Sequence, residues 1–199
     1  MRSFDHRIDP AVLAFLETLK SASLDHLNGS ARDHLLGVHD ILARWDCPPD
    51  TCVAGLFHNI YGTESFKPKA VSLEQRREVA EAIGAPAEQL AYWFCVSRRM
   101  SFFVRQDMAA PCIWDEVHRQ RVAVATEQLR SLADIEAANL VEQYSPQVHE
   151  WPERVQQSTA MIGWMLEQPR VMSPVAWDGL RELLQTIERD RRAHAGAGA

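Results

Sequence analysis

The sequence predicts an all-α fold. Apolar residues recur at helical spacing along nearly the whole chain, no stretch alternates with period two for long enough to compete, and Pro, Gly and capping residues fall between the periodic segments. Asp9-Pro10 opens a first helix with Val12, Leu13, Phe15, Leu16 and Leu19 on one face, ending near Asn28-Gly29. Ser30 caps a second, carrying Leu35, Leu36, Val38, Ile41, Leu42 and Trp45, which the turn Asp46-Cys47-Pro48-Pro49-Asp50 stops. A third follows at once, through Cys52, Val53, Leu56 and Phe57 to His58. Residues 61–70 have loop composition, with Gly62 and Pro68 as breakers.

Ser72 with Gln75 is a capping box for a fourth helix reaching Gly84, and Pro86 starts a fifth through Val96. The segment from Arg98 to Pro111 is the least regular, joining Phe102-Phe103 to Arg98, Arg99 and Arg105 as a lid, a packed loop or an interaction surface. A long sixth helix is expected over about Trp114 to Gln143, and two more over roughly 152–168 and 174–192. No repeat or linker divides the chain, so the expectation is one helical domain over 1–194, with a motif-bearing core at about 30–143 and a disordered tail at 195–199.

Composition narrows the function. The chain has 199 residues, 46% of them hydrophobic and 24% charged, with a net charge of −6, which is ordinary globular composition. Net acidity argues against nucleic acid or an anionic membrane as the partner, since both are bound by basic patches. No apolar run approaches the ~18 residues of a spanning helix, and the N-terminus lacks a signal-like apolar core. Cys47, Cys52, Cys95 and Cys112 form no CxxC pair and read as free, mostly buried structural thiols in a cytoplasmic protein. Nucleotide-loop, serine-hydrolase, HExxH and zinc-ribbon signatures are absent from the sequence.

Eight histidines remain, and helix geometry selects among them. Counting about 1.5 Å per residue, His34 lies roughly 18 Å before the Pro-Pro turn and His58 roughly 14 Å after it. Antiparallel packing therefore brings the two to similar height. His39 points to another part of the helix surface, and His118, expected on the sixth helix, lies about 24 Å from Asp134 along a straight axis. His149 and Trp151 read as a structural turn, and Trp164 and Trp177 as core aromatics.

Arg32-Asp33-His34 followed by Ala54-Gly55-Leu56-Phe57-His58-Asn59-Ile60 resembles the H...HD signature of the HD-domain superfamily. Residues 54–66 look more like an HD-like family of no established activity with a Phe-His-x-Ile-Tyr-Gly-Thr-Glu motif. The resemblance covers about residues 30–143 and implies a helical, metal-dependent phosphohydrolase, or less often an iron oxygenase. Asn59 stands where the family has its metal-bridging Asp, and an uncharged amide bridges two cations poorly, so the resemblance implies one ion rather than two. That divalent ion (Fe, Mn, Zn or Mg) would be held by His34, His58 and a carboxylate of the sixth helix. Asp134 best matches the family's distant Asp, and Glu136, which shares a face with Asn139, is the alternative.

Glu64 and Tyr61 are the candidate catalytic groups, Glu64 as base or further ligand and Tyr61 as acid. Asn59, Thr63, Glu136, Asn139, Arg98 and Arg99 are candidates for binding substrate, Arg98 and Arg99 with Lys67 and Lys69 as phosphate binders. The expected partner is a small molecule, with a homo-oligomer compatible. A fold of this type that binds a small molecule without metal or catalysis is the alternative.

Overall fold

The computed structural model describes residues 8–23, 30–64, 67–104, 106–144 and 152–197. The expected end of the first helix at Asn28-Gly29, together with Phe66, Arg105, His149 and Trp151, lies outside the described residues. Eight α-helices are described: α1 (Pro10–Ser23), α2 (Ser30–Arg44), α3 (Pro49–Leu56), α4 (Arg76–Ile83), α5 (Ala85–Val96), α6 (Thr126–Gln143), α7 (Pro152–Leu166) and α8 (Pro174–Ala197). Short 3-10 turns occupy Leu73–Gln75 and Arg99–Phe102.

The fold is mostly helical but not strictly all-α, because residues 112–123 form an antiparallel hairpin of β1 (Cys112–Asp115) and β2 (Gln120–Ala123). The sixth helix therefore starts at Thr126 and not at Trp114. Strand pairing is favoured there by Ile113, Trp114 and Val122, which fit a pleated surface. Asp115 holds the turn, its Oδ1 accepting the backbone N–H of Val117 and of His118 at 2.8 and 3.0 Å. Arg119 takes the left-handed conformation, φ 53°, that a glycine or asparagine would have advertised.

The α2–α3 hairpin sets the geometry of everything that follows. Asp46 adopts φ 57° and closes α2 by the paired bonds of Asp46 N–H to Ala43 O and Cys47 N–H to Leu42 O. Pro48 and Pro49 then start α3 within two residues, with Pro49 in the first turn, where its missing N–H costs nothing. The two helices pack along their length, and α6 packs on α2 and α3. Gly55 makes this approach close: a Cβ there would lie 2.5 Å from Leu42 Cδ1.

Around this layer α5 covers α3, α4 covers α5, and α8 backs α6 and carries α7. The core runs through Val38, Leu42, Leu56, Phe57, Phe94, Leu132 and Ile135, all at most 1% exposed. Phe102 and Phe103 are also buried, at 0% and 2%. Of the readings left open for Arg98 to Pro111, burial of Phe102 and Phe103 excludes an exposed aromatic surface and agrees with a packed loop: the 3-10 turn folds both rings inward, Phe102 onto Phe94 and Phe103 onto Trp164. Trp164 and Trp177 are partly buried against the core, as expected, and Trp177 Nε1 donates to Leu166 O at 2.9 Å. The capping box at Ser72 forms, but opens with the 3-10 turn before α4. The last helix continues to Ala197, past the end expected near 192.

Candidate functional site

His34 and His58 meet. Their Nε2 atoms are 3.3 Å apart and the rings are edge to face, with centroids at 5.1 Å. His34 projects from the first turns of α2, and His58 follows α3 in the turn that Phe57 N–H closes onto Ala54 O. Each ring is fixed by its other nitrogen. His58 Nδ1 donates to Gly55 O at 2.7 Å, and His34 Nδ1 contacts the carboxylate of Glu142 in the last turns of α6. Both outer contacts call for a proton on Nδ1, which leaves the two Nε2 lone pairs converging.

Burial, and after it the neighbouring His34 and Arg99, pushes the His58 pKa down to about 3, so its imidazole is neutral across the physiological range. Two facing lone pairs repel unless something electropositive lies between them. A metal ion would satisfy the arrangement, with the Nε2 atoms of His34 and His58 as the donors that would hold it. Imidazoles whose second nitrogen is tied to a carboxylate or a backbone carbonyl are also the usual form of metal-ligating histidine. A proton on His34 Nε2 satisfies it too, because 3.3 Å is still within hydrogen-bond reach of His58. The two histidines supply two nitrogen donors, and among the described residues no group of three or more His, Cys, Asp and Glu is placed to hold an ion.

The expected third ligand, Asp134, stands elsewhere. Its Oδ1 accepts the N–H of Ser173 at 2.8 Å, and the Cys47 thiol lies 3.8 Å from its Oδ2. Asp134 therefore sits level with the Pro-Pro turn, at the other end of the hairpin from His34. Helix α6 runs from that turn toward the histidines, and Glu142, eight residues or about 12 Å further on, is its carboxylate at their height. Sequence reasoning missed Glu142. Gly37 on α2 admits it, since a Cβ at 37 would fall 2.7 Å from Glu142 Cγ.

A second set of predicted residues gathers beside His58. The Arg99 guanidinium lies 4.5 Å above the Phe94 ring, which packs T-shaped against His58 with centroids 5.5 Å apart, and its Nη1 is 3.3 Å from Glu136 Oε2. Burial raises the Glu136 pKa and the Arg99 charge opposes it. Asn139, one turn on, accepts from Gln143 Nε2 at 2.9 Å, and Arg99 N–H points at Glu64 Oε2 at 3.4 Å. Arg99 thus bridges Glu136 and Glu64, and among the described residues only the apolar Phe94 ring connects this group to His58.

The other predicted residues are placed differently. Tyr61 donates its hydroxyl proton to Glu88 at 2.8 Å, and Glu88 takes a two-pronged pair from Arg76 at 2.7 and 2.8 Å. Burial raises the Tyr61 pKa well above the ordinary phenol value, so this group is a structural donor and not a poised acid. Asn59 lines a small recess with Leu16, Leu19 and Leu35 under α1. Arg98 pairs with Glu116 at 2.6 Å beside the hairpin, and Thr63 lines a separate cleft with Lys67 and Lys69. His39 pairs with Asp40 at 3.5 Å, and His118 lies on the hairpin turn, paired with Asp115 at 2.7 Å, rather than on a helix.

The four cysteines are free. Burial pushes Cys52 up to about 11 and Cys95 up to about 12, and the Cys95 thiol donates to His58 O at 3.3 Å, bracing the turn that carries the imidazole. These are structural thiols, as expected from their apolar surroundings.

The profile of a family described as a domain of unknown function, DUF6817, matches residues 15–99. That span is less than half of the chain; it contains both histidines and Arg99 and ends before α6. No curated protein and no solved structure matches the chain. Among the described residues no helix is long and apolar enough to cross a membrane.

Proposed function

We propose that the chain is an HD-like enzyme in which His34 and His58 hold a single divalent ion and act on a small molecule, with hydrolysis of a phosphate ester or related bond as the reaction. The carrying observation is the 3.3 Å convergence of two Nε2 atoms whose Nδ1 atoms are both tied outward. An ion in such a site supplies Lewis-acid polarisation of the substrate oxygen and acidified water.

The chain's own residues do the rest. Glu142 sets the His34 ring and Gly55 O the His58 ring, so that neither needs to reorient when it binds. Burial, to which the Phe94 ring contributes, keeps His58 neutral. Glu64, exposed and accepting the Arg99 backbone N–H at 3.4 Å, is the candidate base, and the Arg99 side chain pairs with Glu136. Asn59 bears on one ion against two only through its missing charge.

A second reading is favoured by the chain of contacts Glu142–His34–His58–Gly55 O, which forms a metal-free relay once a proton rather than an ion joins the two nitrogens. Elemental analysis of protein purified without chelator or affinity nickel separates them. About one equivalent of metal, absent from a His34→Ala, His58→Ala variant, supports the metalloenzyme; iron in that site shifts the reaction to oxygen chemistry. A metal-free parent that takes up no added divalent ion refutes it and leaves the relay, in a protein that binds a small molecule without metal.

A further inference from the structure

We propose that the cleft lined by residues 61–64, Lys67 and Lys69, the end of α5 and the β1–β2 turn binds a small molecule through a phosphate group, separately from the histidine pair. The cleft measures about 530 Å³, within the range of small-molecule sites. On its lining is Ser97, only 1% exposed, whose hydroxyl has no hydrogen-bond partner among the described residues. Buried hydroxyls nearly always have a partner, so this one is set for a group that enters the cleft.

Charge identifies that group. Four charged residues line the space: Glu64, Lys67, Lys69 and Glu116. Glu116 is neutralised by Arg98 at 2.6 Å, and Glu64 accepts the Arg99 N–H at 3.4 Å. Lys67 and Lys69 are two exposed ammonium groups that line the cleft together with Ser97, and they outnumber the one carboxylate, Glu64, that has no ion-pair partner among the described residues. Two point charges with rotatable donors suit a dianionic, tetrahedral phosphate, whereas a planar carboxylate is better matched by the guanidinium fork, and the nearest one, on Arg98, is already occupied.

The inference stands whether or not the histidines hold metal. Its test is calorimetric titration of the full chain with pyrophosphate in metal-free buffer, with citrate as a carboxylate of comparable charge. Saturable pyrophosphate binding is expected, weakened at least about tenfold in a Lys67→Gln, Lys69→Gln variant, about tenfold in Ser97→Ala, the weight of one hydrogen bond, and unchanged in His34→Ala, His58→Ala. The lysines are exposed, so their variant tests the site even if Ser97→Ala fails to fold. Absence of saturable binding, equal affinity in the lysine variant, equal affinity for citrate, or loss in the histidine variant alone would each overturn the proposal.

Discussion

Replacing Asp134 by Asn separates a structural carboxylate from a metal ligand. Burial pushes the Asp134 pKa up to about 6 from an ordinary value of 3.8, against the opposing bonds to Ser173. The folded state therefore holds this proton more tightly than the unfolded state. The cost of the buried charge is fully present above about pH 6 and fades as pH falls toward 4. At 1.36 kcal/mol per tenfold in proton affinity, that cost reaches at most about 3 kcal/mol at pH 7.5 and about 1 kcal/mol at pH 4.5.

Asn keeps the oxygen that accepts from Ser173 N–H just before α8, at a loss of about 1 kcal/mol for the weaker uncharged bond. Asp134→Asn should then stabilise the protein by about 1–2 kcal/mol at pH 7.5, and the advantage should shrink by about 2 kcal/mol at pH 4.5. Urea denaturation at the two pH values reads both numbers, and elemental analysis of the same variant should show unchanged metal. Destabilisation at pH 7.5, a pH-independent difference or loss of metal would each refute this placement of Asp134.

Glu142→Gln should weaken metal affinity about 10–100-fold with little change in stability, measured by competition with a chelating dye, because it loosens the ring that binds and not the bond itself. Gly37→Ala should act in the same direction by displacing the Glu142 side chain, and restoring affinity with a shorter Glu142→Asp in that background would confirm the route. Tyr61→Phe should cost about 1 kcal/mol in thermal unfolding while leaving metal content and any activity intact, as befits a structural donor. Glu88→Ala, which strands Arg76 and Tyr61 together, should cost about 3 kcal/mol in the same assay.

How much of this was legible in the sequence depends on how local the cause was. The pairing of His34 with His58 could be read because Asp46, Pro48 and Pro49 fix a tight hairpin, and residue counts on either side of a tight hairpin give heights directly. The third helix of the site could not be registered in the same way. Its start was concealed by the hairpin at 112–123, whose strands are four residues long and whose turn uses Asp115 and a left-handed Arg119 in place of glycine. With the start displaced, nothing in the sequence distinguished Asp134 from Glu142, eight residues along one helix.

Glu142 was further hidden because its place depends on Gly37, a tertiary gap that no periodicity reveals. Arg99, Glu136 and Asn139 were legible as neighbours only in part: the spacing of Glu136 and Asn139 by three puts them on one face, whereas the approach of Arg99 to Glu136 depends on the 3-10 turn that carries it. Phe102 and Phe103 were ambiguous for the opposite reason: an aromatic pair beside arginines reads equally as surface or core, and only the 3-10 turn at Arg99–Phe102 decides that the rings turn inward.

If His34 Nε2 and His58 Nε2 share an ion, anomalous diffraction from crystals grown with cobalt or manganese should show a single peak about 2.1 Å from both atoms, lost in the His34→Ala, His58→Ala variant. A peak beside Asp134 and Cys47, or none at full metal loading, would mean that the two histidines hold no ion.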